Sequence, residues 1–287
     1  CVYPDPDMEI DRLLEEVAGN QQETCSLVDE SGIMNRMWRI TDTESINFIM
    51  DRMADKEVLL ADGHHRYEAA LEYRNEMRRS AGGNQGAEYM MAYFVNMYAP
   101  GLTVLPYHRT VQGLPDLTPL ILHQSLSDRF ILKEVKPHDG EEHHQTLKRF
   151  LEVELTEAGR EGKVFGIFGE ECGFWLLESR EDVPDQENLP IVEHLLSELD
   201  VGILHQQVII PLLGSDSQKT GEAGGMRYLA DPYAALDSVK KGECDAVFFL
   251  NPINIDEIIT LGRAGGRMPQ KSTFFYPKPI TGMVINR

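Results

Sequence analysis

The feature that most limits the fold of this chain is the alternation of short apolar runs with amphipathic stretches along its 287 residues. Runs such as EVLLAD, KVFGIFG and CDAVFFLNP have the length and apolar content of buried strands. Between such runs, stretches such as DMEIDRLLEEVAG and PYAALDSVKKG carry apolar residues at helical spacing. The pattern predicts an α/β or α+β fold with mixed sheets.

The same patterns predict the secondary structure of several segments. EVLLAD is predicted to be a short buried strand, and YMMAYFVNMY and LTVLPYHRTV are predicted to be strands. KVFGIFG and CGFWLLES flank Glu170-Glu171, which predicts a β-hairpin. The apolar periodicity from Ile191 to about Leu213 predicts one long helix. We place a domain boundary between residues 130 and 131, so that residues 1–130 carry the candidate site and residues 131–287 form a C-terminal α/β part.

Composition excludes several classes of partner. The formal net charge is −20, and such an acidic chain is a poor match for an extended nucleic-acid backbone. No apolar run reaches the length of a membrane span. The four cysteines, Cys1, Cys25, Cys172 and Cys244, form no C-x-x-C pair, so we expect neither a disulfide framework nor a thiolate zinc site. We therefore expect a cytoplasmic protein with a small-molecule substrate; its oligomeric state stays open.

The candidate site is the stretch Asp62-Gly63-His64-His65-Arg66, where an apolar run ends and a helical pattern begins. Gly63 permits a tight turn, and the first amides of the helix have no partners within the helix. Such a turn binds phosphate or carboxylate groups, and His65 and Arg66 add side-chain donors. Asp62 can hold Mg²⁺ through phosphate oxygens or orient His64. His64 is the candidate general base, because histidine titrates near neutral pH.

This stretch has two alternative interpretations. Asp62 can be an ordinary N-cap, with both histidines solvated in the first turn. A zinc site is disfavoured, because adjacent residues of a helix cannot readily bind one metal and the H-x-x-x-H spacing is missing. We therefore predict no metal site formed by protein ligands alone.

Further candidates lie outside the turn. Arg109, in LPYHRTV, is predicted to face the same anion as Arg66 or to be a surface residue at a strand end. Lys271 and Ser272 lie in a turn-rich stretch before an apolar strand and are predicted to bind phosphate or to cap the strand. They do not form a Walker loop, since no glycine directly precedes Lys271. His205, inside an apolar helical run, is expected to be a core histidine.

The turn DGHHRYEAA resembles the Gly-Cys-His-Arg turn of sulfiredoxins and the glycine-rich box of the ParB/sulfiredoxin superfamily. The free serine kinases of that superfamily carry a similar Asp-Gly-His-x-Arg turn. The resemblance implies a ParB/sulfiredoxin-like N-terminal part in which His65 and Arg66 hold nucleotide phosphates. His64 stands where sulfiredoxins have their reactive cysteine, so sulfiredoxin chemistry is not expected.

A second resemblance covers most of the chain. The ordered segments ADGHHRYEAAL, LPYHRTV, YLADP, AVFFLNP and MPQKSTFFYPKPITGMVIN resemble the prokaryotic family known as domain of unknown function 1015, for which no activity is established. Members of that family are longer at the N-terminus, where they carry a Pro-Pro-Tyr-Asp-like segment. We therefore expect that N-terminal residues are missing from this chain.

These observations support three hypotheses about function. The first is a kinase that uses ATP or ADP with Mg²⁺ to phosphorylate a small polar molecule. The second is a nucleotide- or metabolite-binding module without catalysis, and the third is a hydrolase of phosphate esters or nucleotides. The first hypothesis assigns catalysis to His64 and Asp62, and phosphate binding to Gly63, His65, Arg66, Arg109, Lys271 and Ser272.

Overall fold

The computed structural model of the protein describes residues 1–30, 32–80, 85–114, 117–180, 189–214, 225–269 and 271–285. The chain divides into two compact units. Unit 1 contains Cys1–Thr103 and Phe275–Arg287, and unit 2 contains Val104–Phe274. The chain therefore passes from one unit to the other twice. The domain boundary between residues 130 and 131 stays a prediction; the compact units have different bounds.

Helices and strands are mixed along the whole chain. The strands of the described part are β1 (Val2–Tyr3), β2 (Cys25–Val28), β3 (Met34–Met37), β4 (Val95–Asn96), β5 (Thr103–Pro106), β6 (His108–Val111), β7 (Phe130–Val135), β8 (Val164–Gly169), β9 (Gly173–Ser179), β10 (Met226–Leu229), β11 (Ala246–Phe249) and β12 (Thr273–Tyr276). Strands β5 and β12 pair with each other and contain both passages between the units.

The helices of the described part are α1 (Glu9–Asn20), α2 (Thr43–Met53), α3 (His64–Arg79), α4 (Pro119–Leu126), α5 (His143–Arg149), α6 (Thr156–Ala158), α7 (Ile191–Glu198), α8 (Asp200–Ile203), α9 (Ile210–Leu213), α10 (Pro232–Lys240) and α11 (Ile255–Arg263). A π-helical segment, Phe150–Leu155, joins α5 to α6, and a second, Leu204–Ile209, joins α8 to α9. The predicted fold class is confirmed, as an α+β arrangement.

Unit 2 is built around a six-stranded sheet with the order β10-β6-β11-β8-β9-β7. Neighbouring strands of this sheet run antiparallel. The predicted hairpin is confirmed as β8 and β9, with Val164 opposite Glu178. Every residue of β8 is buried, as expected for a strand that is covered on both faces.

Both faces of this sheet are packed with apolar side chains, which alternate along each strand. One face carries Phe165, Ile167 and Phe248, and it packs against α4 and the π-helical segment Leu204–Ile209. The other face carries Phe168 and Phe249, and it packs against α5 and α10. The sheet is thus the middle layer of unit 2, with helices on both sides.

Unit 1 has less regular structure. Strand β1 pairs in parallel with β4, and Val2 also forms a two-way backbone bridge with Leu59. Helix α1 buries Ile10 and Val17, whereas α3 has no buried residue. Polar groups reinforce this unit: the Asp5 carboxylate, 2% exposed, accepts hydrogen bonds from the Ile10 amide and the Lys56 ammonium.

Three predictions about local structure need correction. Within YMMAYFVNMY, strand geometry is restricted to β4, because most of these side chains are exposed and, in the described part of the chain, β4 alone pairs with another strand. EVLLAD forms only the single bridge at Leu59. The predicted helix from Ile191 to Leu213 is interrupted at Leu199, whose ψ of 140° is extended, so α7 and α8 are separate.

Candidate functional site

The turn between Asp62 and Arg66 lies at the start of α3 in unit 1. Gly63 is the N-cap residue, with φ 85° and ψ 28°, a left-handed conformation that other residues adopt only with strain. No side chain caps this end of the helix. The first amides of α3 therefore point outward without helical partners, at the positive end of the helix dipole.

The guanidinium group of Arg66 lies directly against Gly63. A Cβ atom at position 63 would be 2.9 Å from Nη2 and 3.2 Å from Cζ of Arg66. The missing side chain therefore makes room for the guanidinium beside the helix start. A cation at this end of a helix is electrostatically unfavourable unless an anion accompanies it. Arg66 and the open amides together form a place where an anion is stabilised.

The carboxylate of Asp62 is held on both of its oxygens. Oδ1 accepts a hydrogen bond of 2.7 Å from the Gly63 amide, and Oδ2 accepts one of 2.7 Å from Nζ of Lys278. The hydrogen bond from Lys278 is the main cause that lowers the pKa of Asp62. A carboxylate held in this way is a weak base, and it is better suited to fixing Lys278 and the turn.

A cavity of about 210 Å³ lies beside the turn, and all of its lining residues belong to unit 1. Asp62, Gly63, Arg66 and Lys278 form its polar end. The rest of the wall is largely apolar and includes Met90, Met91, Tyr93, Leu102, Phe275 and Pro277. A ligand that matches this cavity therefore has an anionic end and an apolar or aromatic body.

The two histidines of the turn do not line the cavity. Both are exposed, and the side chain of His65 is 88% exposed, with Nδ1 3.6 Å from a carboxylate oxygen of Glu68. The structure thus brings Asp62, Gly63 and Arg66 together in one pocket and leaves His64 and His65 at its outside. The roles of these histidines as base and phosphate ligand stay predictions.

The remaining predicted residues belong to unit 2 and do not line this cavity. Arg109 lies in β6 and is 6% exposed, so it is a buried residue and not a surface one. Lys271 is exposed, and its Nζ lies 5.3 Å from the centre of the Tyr107 ring. Ser272 is buried, and its hydroxyl donates to the Pro269 carbonyl over 2.7 Å. Phosphate binding by these three residues stays a prediction.

Lys278 is the polar lining residue that the sequence reasoning missed. It is 216 positions from Asp62 in the chain, and only the fold brings the two side chains together. One local signal existed: Lys278 stands between Pro277 and Pro279 in YPKPIT, where the two prolines restrict the backbone that carries the cation.

A model of the family described as "Protein of unknown function (DUF1015)" matches residues 1–202. The chain belongs to this family. Among curated proteins, none matches it. The turn's resemblance to the ParB/sulfiredoxin superfamily stays a prediction.

Several solved structures are similar at low identity. A free serine kinase variant in complex with ADP is 13% identical with a TM-score of 0.37, over 96% of this chain and 82% of that one. A free serine kinase in complex with AMP is 15% identical with a TM-score of 0.36, over 96% and 83%. A conserved hypothetical protein from Pyrococcus furiosus is 14% identical with a TM-score of 0.38, over 96% and 86%. Such low scores carry no weight for the ligand or activity of this chain.

Within the described ranges, each helix is too short or too polar to cross a lipid bilayer. The same ranges contain no group of three or more His, Cys, Asp or Glu side chains arranged to hold a metal ion.

Proposed function

We propose that the pocket of unit 1 binds ATP or ADP and that the protein transfers a phosphoryl group to a small polar molecule. One observation carries the proposal: the Arg66 guanidinium lies against Gly63 at the uncapped start of α3, at the polar end of a largely apolar pocket. This combination offers an anion both backbone amides and a guanidinium.

The two ends of the pocket match the two ends of a nucleotide. Phosphate oxygens would accept hydrogen bonds from Arg66 and from the first amides of α3. Lys278, fixed by Asp62, would add a second positive charge on the same side. The base would pack against the apolar wall that includes Met90, Met91 and Phe275, since ligand pockets are commonly lined in this way.

Phosphoryl transfer depends mainly on positioning and on neutralising the charge of the transferred group. Arg66 and Lys278 would supply part of that charge, and Mg²⁺ bound with the nucleotide would supply the rest. Asp62 would hold this ion through the lone pairs that its hydrogen bonds with Gly63 and Lys278 leave open. In this scheme the hydroxyl oxygen of the acceptor attacks the terminal phosphorus of the nucleotide, and His64 accepts the hydroxyl proton. The bond from that phosphorus to the bridging oxygen breaks, and the shortened nucleotide (ADP from ATP, or AMP from ADP) leaves.

One observation favours a second candidate, a nucleotide-binding module without catalysis. Among the described residues that line the pocket, Asp62 is the one carboxylate, and it is held by Lys278 and Gly63. A pocket without a free base can bind a nucleotide and still catalyse no transfer. Binding and turnover therefore need separate tests.

Binding is tested by calorimetric titration of the full chain with ADP, ATP and AMP in the presence of Mg²⁺. We expect Arg66→Ala to weaken binding about tenfold to a hundredfold, because hydrogen bonds to charged groups contribute about 1.5–3 kcal/mol. Arg66→Lys should recover part of the affinity, since it keeps the charge and loses the planar donor pair. The matched control is Arg79→Ala, at the other end of the same helix.

The binding proposal is wrong if none of these nucleotides binds the folded wild-type chain, or if Arg79→Ala weakens binding as much as Arg66→Ala.

Turnover is tested by measuring ADP release from ATP with small hydroxyl compounds such as serine. We expect His64→Gln to slow this release by about a hundredfold while leaving ADP affinity unchanged. Binding without turnover would support the module in place of the kinase.

A further inference from the structure

Unit 2 contains a buried cation that the pocket of unit 1 does not use. Arg109 lies in the middle of β6, opposite Tyr228 on β10 and Phe248 on β11. It is 6% exposed, on the same face of the sheet as the core residues Val111 and Phe248. A charged side chain is rarely placed in such surroundings unless something pairs with it.

Only some of the N–H donors of this guanidinium have a hydrogen-bond partner among the described residues. Nη1 donates to the Tyr107 carbonyl over 2.5 Å, and Cζ lies 4.6 Å from the centre of the Tyr228 ring. No carboxylate in the described ranges forms an ion pair with Arg109. Within the described ranges, the bond from Nη1 to Tyr107 is the one hydrogen bond that this guanidinium forms. Because a guanidinium has five N–H donors, most of them remain available.

The π-helical segment Leu204–Ile209, which contains His205, packs on the face of the sheet that carries Arg109. Burial, and then the charge of Arg109, lower the pKa of His205, which favours the neutral ring. His205 belongs to the π-helical segment Leu204–Ile209, and such segments are uncommon and frequent at functional sites. A neutral imidazole offers one N–H donor and adds no charge.

A second cation, Lys271, also contacts Tyr107. Nζ of Lys271 is 5.3 Å from the centre of the Tyr107 ring, while the carbonyl of the same residue accepts from Arg109. Lys271 is exposed, so it can raise the local concentration of anions near this part of unit 2 without being buried with them.

We propose that Arg109, Tyr228 and His205 form a binding site in unit 2 for the carboxylate group of a small monoanionic molecule. The open edge of a guanidinium matches the two oxygens of a carboxylate. One buried positive charge balances one negative charge, whereas a phosphate dianion would leave excess charge in a largely apolar environment. A carboxylate thus takes the place of the phosphate that the sequence suggested for Arg109. The site lies wholly in unit 2 and does not depend on the proposed nucleotide pocket.

The test uses the wild-type chain and the arginine reagent phenylglyoxal, with the modified residues located by peptide mass mapping. We expect Arg109 to react and acetate to slow its modification about tenfold relative to chloride at equal ionic strength. Inorganic phosphate should protect less than acetate. Arg227, on the neighbouring strand β10 and mostly exposed, is the internal control and should react equally in all three salts.

Each other outcome overturns the proposal. If Arg109 does not react in the free protein, its guanidinium is not accessible; if acetate does not protect it, no carboxylate binds there. If phosphate protects as well as acetate, the choice of a monoanion is wrong. We expect His205→Gln to weaken acetate protection and Arg66→Ala to leave it unchanged, so failure of this site and failure of the nucleotide pocket are separable.

Discussion

Unit 2 and unit 1 differ in how far they bury their large apolar side chains. In unit 2, phenylalanines such as Phe165, Phe248 and Phe249 are fully buried on the two faces of the sheet. In unit 1, Tyr89, Met91 and Phe94 are exposed, and α3 buries no residue at all. Unit 2 is therefore stabilised by packing, whereas the candidate pocket of unit 1 depends on a few hydrogen bonds and one ion pair.

This difference predicts where substitutions should lower the free energy of unfolding most. Burial of apolar area is the main stabilising contribution in folded proteins, and removing a buried ring costs more than removing an exposed one. The chain has two tryptophans, Trp38 in unit 1 and Trp175 in unit 2. Variants that keep only one of them allow each unit to be followed separately by fluorescence.

The largest effect is expected in the core of unit 2. Phe248→Ala removes a side chain that is 0% exposed, and it should lower the free energy of unfolding by about 3–5 kcal/mol. The same change at Phe94, which is 46% exposed, should cost less than about 1 kcal/mol. Urea unfolding followed through Trp175 and through Trp38 measures both. Equal losses at the two positions would contradict the comparison.

The second-largest effect is expected at low pH, where unit 2 should lose stability. Burial, and then the charge of Arg109, lower the pKa of His108 from 6.5 to about 4. The unfolded chain then binds a proton at this residue below pH 6.5, while the folded chain does not until about pH 4. The contribution of His108 to the free energy of unfolding should be fully present above pH 6.5. Roughly 3 kcal/mol of it should be lost as the pH drops to 4. His108→Gln should flatten this slope in the unfolding curves followed through Trp175.

Unit 1 provides the contrast in the same experiment. Burial would raise the pKa of Asp5, but hydrogen bonds from the Ile10 amide and Lys56 outweigh it, and the pKa is lowered below 3.8. The contribution of Asp5 is therefore present above pH 3.8 and is lost as the pH falls further. If unfolding followed through Trp38 loses as much free energy between pH 6.5 and 4 as unfolding followed through Trp175, the two units do not differ in their sensitivity to acid.

The smallest effect concerns the turn itself. Gly63→Ala should cost about 1 kcal/mol, because its φ is 85° and the new Cβ would push Arg66 aside. Gly19→Ala, in α1 with open space around it, is the matched control and should stabilise by about 0.5–1 kcal/mol. Chemical denaturation of both variants decides the sign. A stabilised Gly63→Ala would show that the left-handed turn is not required.

Elements specified by local sequence were predicted well. The apolar runs on either side of Glu170-Glu171 form the hairpin β8–β9, and Asp231-Pro232 starts α10, where the Asp231 carboxylate accepts from the Tyr233 amide. The glycine turn at the start of α3 was also predicted, because a helix start with open amides depends on neighbouring residues.

Features that depend on distant partners were not accessible to the same reasoning. Tyr89 to Phe94 are apolar enough for a strand, yet within the described ranges no strand pairs with them. The contact between Asp62 and Lys278, and the burial of Arg109 beside Tyr228, join segments that are far apart in the sequence. The periodic spacing of apolar residues predicts which face is buried, but it does not identify the element that covers that face.

The pocket in unit 1 is lined by segments that precede and follow unit 2 in the sequence. Phe275 and Lys278 belong to the segment Phe275–Arg287, which follows the whole of unit 2 in the sequence. Synthesis on the ribosome runs from the N-terminus, so unit 2 is complete before these two residues are added. A nascent chain that has just finished unit 2 carries Asp62 and Arg66 without the lysine that holds Asp62. The complete lining of this pocket is thus assembled only after unit 2 has been synthesised.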